Sequence, residues 1–272
     1  MIAQLFREAP GVIATGVATL IAATCLAQDP KAEQKPFEKG RDVDPNAVVA
    51  KRPDPPPIPE YKLGRDLPTH PIPRGVTGPN WTPVDSTILP LDRAGIYVLE
   101  FAYRPLGMVE VELPGKGRRK IHYLYYRVVN RTGKPQRFVP QFDMVTPDGK
   151  QYHETVIPAA VKIVQNREDP SLSILGAVDI VGMIPPSTKE GIDDAVYGVV
   201  MWDDVDFKAD AATIFVRGLS DAYQVVTPPD GAKPYTRFKA VRIDLIRPGD
   251  EFHPHQKEFR PSDPPFKWTY YP

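Results

Sequence analysis

The sequence predicts a mainly β fold, an antiparallel sandwich with one short crossover helix, and three observations carry that expectation. From residue 88 onward apolar residues alternate with period two in short runs bounded by Gly, Pro and Asp clusters. About ten such runs stand against a single stretch with helical spacing, which suits a sandwich or a partly open barrel and not a strand-helix-strand repeat. The only cysteine, Cys25, lies upstream of these runs, so the domain holds together without disulfides, on a core that a chain of 272 residues is long enough to build.

Residues 11–27 (GVIATGVATLIAATCLA) are an uncharged apolar run, preceded by Arg7 and followed by Gln28, Asp29 and Pro30. A basic start, an apolar middle and a small-residue exit are the pattern of a secretory signal peptide over residues 1–27, cut after Ala27. The rival reading is an uncleaved anchor. A spanning helix wants ~20 strongly apolar residues, and this run is short and interrupted by Gly and Thr. A third reading takes Ala22, Ala23, Thr24 and Cys25 as a lipoprotein signal that lipidates Cys25, with Thr24 standing where that motif carries Gly or Ala. All three give a periplasmic or secreted chain, whose membrane contact runs only through a retained signal or a lipidated Cys25.

Residues 28–87 show no sustained apolar periodicity. Prolines are densest at residues 52–59 (RPDPPPIP), within a total of 33 in the chain, more than double the usual ~5%. Fixed φ angles and missing N–H donors favour an extended tether here, a spacer in preference to a groove ligand. Trp81, near its end, is expected to dock the tether onto the domain.

The sandwich domain is expected over residues 88–250. In residues 96–104, Tyr97, Leu99, Phe101 and Tyr103 share one face; in 108–113, Val109, Val111 and Leu113 point inward while Glu110 and Glu112 meet water. Residues 121–130 (IHYLYYRVVN) carry aromatic and β-branched residues on both faces, as a central strand does. A turn at 130–134 leads to 137–146 as its hairpin partner, and Pro147-Asp148-Gly149-Lys150 turns tightly into 151–156. Residues 159–167 (AAVKIVQNR) are the helix, with Val161 and either Val164 or Ile163 inward, ended by Asp169-Pro170. Further strands are expected at 177–182, 195–202, 213–218, 223–226 and 238–246. Residues 251–272 form a C-terminal extension whose aromatics (FKWTYYP, 266–272) pack on the domain as a last strand or strap.

Charge excludes one class of function: Lys+Arg 34 against Asp+Glu 34 leaves no field to attract nucleic acid. The lone cysteine excludes thiolate chemistry from the mature domain. No G-x-S-x-G elbow, phosphate loop or H-E-x-x-H occurs. Two constellations remain as candidate metal sites. Asp203, Asp204, Asp206 and Asp210 could offer carboxylate oxygens to calcium, but Ala209 stands where an EF-hand loop counted from Asp204 has glycine and no glutamate falls at the twelfth place; a solvated hairpin loop is favoured. His253 and His255, two apart in an extended segment with Glu251 and Glu258 near, point to one side and lack identified third and fourth ligands. His122 and His153 alternate with tyrosines and read as ordinary packing.

GVVMWDDVDFKADAATIFVRGLSDAY (198–223), VRIDLIRPGDEF (241–252) and the closing KWTYY resemble a family of secreted proteins of planctomycete bacteria, through the W-x-x-x-D, GLSD and RPGDEF elements. The resemblance covers the domain from residue 96 onward and implies a bacterial envelope address, with no catalytic or binding residue attached to it. The YYRVVN run with its following turn is also similar to the core strand of immunoglobulin-like extracytoplasmic modules. The expected function is that of a non-enzymatic envelope protein, structural or binding a protein or glycan, with no cofactor. The alternative is a metal-dependent enzyme or module using the acidic loop or the His/Glu cluster.

Overall fold

A computed structural model describes residues 64–86, 95–205, 211–229, 231–247 and 259–272. These residues fall within one unit spanning 59–272. In chain order the strands are β1 (His70–Pro73), β2 (Thr82–Val84), β3 (Glu100–Tyr103), β4 (Gly107–Leu113), β5 (Gly117–Val129), β6 (Gln136–Phe138), β7 (Gln141–Val145) and β8 (Gln151–His153). After the helix α1 (Pro158–Glu168) come β9 (Ile174–Leu175), β10 (Gly182–Ile184), β11 (Ile192–Trp202), β12 (Ala211–Arg217), β13 (Tyr223–Val226), β14 (Tyr235–Ile246), β15 (Arg260–Pro261) and β16 (Lys267–Tyr271).

Two sheets result. The first runs β1-β11-β5-β3-β2, with β4 also on β5 and β9 on β11; the second runs β13-β14-β12-β7-β8, with β15 and β16 on β14. All pairings are antiparallel except the two-residue β9 ladder on β11. Alternation explains how the sheets stack. On β5, Leu124, Tyr126 and Val128 face the second sheet, where Phe142, Ile214, Val216, Val241 and Ile243 meet them; Tyr126 and Phe142 lie 4.8 Å apart ring to ring. Each such fully buried side chain contributes roughly 1.5–3 kcal/mol over its exposed state. The intervening Tyr123 and Tyr125 face the other way, into a second core with Val109, Val111, Val199, Met201 and the helix residues Ala160 and Val164. The architecture is thus a β-sandwich with a helix laid on the outer face of its first sheet.

The two sheets are also stitched along their margin. β3 and β4 lie on the same side of β5, interrupted at Arg104-Pro105-Leu106, and there Leu106 exchanges two backbone hydrogen bonds of 3.1 Å with Phe259. Leu99 N–H donates likewise to the Leu219 carbonyl at 2.8 Å, in the interruption between β12 and β13.

Several expectations need correction. The sheet begins upstream of residue 88: β1 and β2 belong to the first sheet although both contain proline. Each lies at an edge, where a missing N–H costs no ladder bond on the open side. Residues 137–146 do not pair with the 121–130 strand. Pro140 divides them, β6 pairs with β10, and β7 joins β12 in the second sheet. Within 177–182, residues 177–180 form a turn closed by the Ile180 N–H bond to Gly176, which buries Ile180 and leaves Val178 and Val181 outside, and only Gly182 is in a strand, as the start of β10. β11 and β12 stand in different sheets, so they are not the two arms of a hairpin. The helix inner side is Ala160 and Val164 with Val161 partly buried, while Ile163 is exposed. The last strand is as expected: β16 lies on β14, and Trp268 and Phe266 pack against the inter-sheet core. The signal segment, Cys25 and the densest proline tract lie outside the described residues.

Candidate functional site

Of the acidic loop, Asp203 and Asp204 are described and Asp206 and Asp210 are not. Asp203 has a buried carboxylate, already paired with Arg119 Nη2 at 3.2 Å and Lys116 Nζ at 3.4 Å, and it also accepts the Asp204 N–H at 2.9 Å. Arg119 contacts the Asp204 carboxylate as well. Cations from the β4–β5 turn thus occupy oxygens that calcium would need. His253 and His255, with Glu251 and Glu258, lie outside the described residues, among which no group of three metal-ligating side chains converges. His122 is buried against Phe259, its ring pushed down to a pKa of about 4 by desolvation and by Arg247. His153 is mostly exposed and bonds through Nδ1 to the buried Asp143 at 2.6 Å; Asp143 in turn accepts from Arg217 at 3.1 Å. Ser220 accepts the Ala222 N–H, a local bond of the strand interruption.

The structure brings together a group that the sequence reading passed over. At the C-terminal end of α1 a cavity of about 560 Å³ is lined by Asn80, Arg104, Gly107, Tyr123, Glu168 and Arg260, with Pro105 and Pro261. Its centre is Glu168. One carboxylate oxygen accepts the Tyr123 hydroxyl at 2.5 Å and the other accepts Arg104 Nη1 at 2.8 Å. A negative side chain at a helix C-terminus opposes the helix dipole, so these two donors are what make the position tolerable. Gly107 faces Tyr123 across the β4–β5 ladder, and a Cβ there would fall 2.5 Å from the ring, so the bare glycine is what seats the tyrosine under the cavity.

Arg104 is held rigidly. Its guanidinium lies 5.0 Å from the Trp81 ring and 5.3 Å from Tyr125, and Trp81 receives Arg127 at 4.9 Å besides. Trp81 packs on Tyr125 at 5.1 Å and Tyr197 at 6.0 Å, so it docks the chain entering β2 onto the sheet. Arg104 Nε is buried with no hydrogen-bond partner. Arg260 comes in from β15, and its exposed guanidinium makes no ion pair among the described residues. Arg167, the residue before Glu168, lies 5.8 Å over Tyr123 and donates to the Met108 carbonyl at 2.7 Å. Two guanidinium groups, Arg104 and Arg260, therefore share the cavity lining with one carboxylate, an arrangement that favours an anion entering it. Only one clue to it stood in the sequence: a glutamate at the C-terminal end of the helix implies a nearby cation.

No protein-family model, no curated protein and no solved structure matches this chain.

Proposed function

We propose that this protein is an exported, non-catalytic binding module of a bacterial envelope, and that the cavity beside Glu168 holds an acidic saccharide. The observation that carries the ligand class is the charge balance of that cavity, in which Arg104 and Arg260 face a single carboxylate. A concave site of this volume fits one or two sugar units, whereas a protein partner wants a broad surface patch. Fork-shaped guanidinium groups match the planar carboxylate of a uronic acid. The binding role is favoured over catalysis because Glu168, held by Tyr123 and Arg104, is the one carboxylate among the described residues lining the cavity, with no second carboxyl group opposite it to share acid and base roles. The apolar run at residues 11–27 and the likeness to secreted planctomycete proteins support the address.

Titration calorimetry of the full chain with a tetrameric galacturonate tests the reading, with the neutral galactose tetramer as control. Saturable binding of the acidic oligomer alone is expected. Arg260→Ala removes an exposed side chain with no ion pair among the described residues and is expected to weaken it about tenfold without lowering the melting temperature. Equal binding of both oligomers, or no effect of Arg260→Ala, refutes it.

A further inference from the structure

A second cleft opens at the other end of α1, and it differs in chemistry. The short strand β9 pairs with β11 only at Tyr197 and Gly198 and then turns away at Gly176. Farther along, Thr155 N–H donates to the Met201 carbonyl at 2.8 Å. Between these two attachments the first sheet has no covering strand, and α1 sits to one side because Ala160 and Val164 are what it buries. A cleft of about 460 Å³ results, within the roughly 300–1,000 Å³ range of small-molecule sites.

Its walls are aliphatic: Ile157, Pro158, Val161, Val178, Val199 and Met201. No aromatic side chain lines it. Val178 is 65% exposed, and Val156 at the same mouth is 56% exposed, a large apolar outlay for two residues beside a concavity. The charges at the rim are unequal. Asp179 is engaged by Arg65, which reaches its backbone carbonyl at 2.5 Å and its carboxylate at 3.5 Å. Lys162 donates only a long 3.4 Å bond to Gln165 and has no ion pair among the described residues. Gln165 itself is fixed by donating to the Leu172 carbonyl at 2.6 Å.

We infer that this cleft binds the chain of an aliphatic carboxylate, with the Lys162 ammonium holding the carboxylate at the rim. A mostly aliphatic lining rewards a flexible hydrocarbon by area and offers no ring faces for stacking, while of its polar side chains Gln165 and Asp179 are already bonded to other groups. The single free cation at the mouth then selects the sign of the head group. Met201 at the floor adapts to chains of different length. The site is separate from the cavity beside Glu168 and stands whether or not that cavity takes a saccharide.

Titration of the full chain with dodecanoate, and with dodecyltrimethylammonium as a cationic chain of equal length, both below their micelle concentrations, decides the matter. One saturable dodecanoate site is expected, at least about tenfold tighter than the cationic amphiphile. Lys162→Glu reverses that order. Ala177→Phe, which fills the mouth of the cleft, abolishes binding of both. Equal affinities on the unsubstituted protein, no saturable site, or undiminished dodecanoate binding by a normally melting Ala177→Phe variant overturns the inference. The comparison on the unsubstituted protein decides even if Ala177→Phe fails to fold.

Discussion

Glu154 and His122 tie the stability of the fold to pH with opposite signs, and replacing either one exposes the other. Burial and the neighbouring Asp143 carboxylate, partly offset by Arg217, push the Glu154 pKa up from 4.5 to about 7. Burial and Arg247 push His122 down from 6.5 to about 4. Between pH 4.5 and 6.5 the unfolded chain has lost the Glu154 proton that the folded protein keeps, so stability falls as pH rises through that window. Over the same window the unfolded chain holds a His122 proton that the folded protein lacks, so stability rises. Each slope approaches ~1.4 kcal/mol per pH unit, and the two cancel. Integrated from 4.5 to about 7, the Glu154 contribution is at most about 3 kcal/mol, and its partial exposure reduces the expectation to about 1–2 kcal/mol. The neutral variant Glu154→Gln is therefore expected to match the unsubstituted protein at pH 4.5 and to exceed it by about 1–2 kcal/mol at pH 8, a shift of about 0.3–0.6 M in the urea midpoint. The variant should also lose stability steadily as pH falls from 6.5 toward 4, the His122 slope now unopposed. Urea unfolding followed by tryptophan fluorescence at half-unit pH steps measures both. A midpoint difference independent of pH would show that Glu154 does not titrate in this window and would refute the reasoning.

Three further outcomes follow from packing and pairing. Gly198→Ala places a Cβ 2.5 Å from the Tyr126 ring, which is sealed between the sheets, and is expected to cost about 1–3 kcal/mol in urea unfolding; Gly191→Ala, with open space around it but a φ of 68°, should cost about 1 kcal/mol through the backbone alone. Asp193, 2% exposed, accepts from Arg131 at 2.6 Å and Arg74 at 3.0 Å and ties β11 to the segments that follow β5 and β1, so Asp193→Ala should lower stability by about 1–3 kcal/mol, with most of that loss recurring in an Arg74→Ala, Arg131→Ala double variant. Trp268→Ala removes a ring packed on the inter-sheet core and its 3.0 Å bond to the Asp85 carbonyl; a loss of about 2–4 kcal/mol is expected, and a melting temperature unchanged by the substitution would contradict the placement of β16.

The alternating runs were legible because each strand settles one face on a core. Val109 and Val111 are buried while Glu110 and Glu112 are not, and Leu99, Phe101 and Tyr103 share a side, in register with the pattern read from the residues alone. Residues 121–130 read as central because both faces carry aromatic and β-branched residues, and two cores claim them. Partners were less legible than strands. Nothing local to residues 137–146 tells that the chain crosses to the opposite sheet at Pro140, and nothing in His70-Pro71-Ile72-Pro73 announces that its partner lies at residues 192–195. Proline argued for a tether there; the same residue type is equally at home on a sheet edge, and only the distant β11 decides between the two.

The candidate site escaped the sequence for a related reason, since Arg104, Glu168 and Arg260 come from the break between β3 and β4, the end of α1, and β15. What gathers them is the mismatch between one helix and the sheet beneath it. An 11-residue helix is about 16 Å long and covers less than the outer face of a sheet whose central strand runs 13 residues. The face left uncovered must be closed by loops or left as clefts, and a cleft forms at each end of the helix. At the C-terminal end the dipole and Glu168 are both negative, so guanidinium groups collect there and produce a polar, cationic cavity. At the start of the helix Pro158 and the preceding Ile157 bring no acidic cap, the lining stays aliphatic, and the nearest free charge is Lys162 a turn farther on. The contrast between the two clefts thus has two sources: the helix places Glu168 at one and Lys162 at the other, while the sandwich brings Arg104 and Arg260 to the first and Val178, Val199 and Met201 to the second.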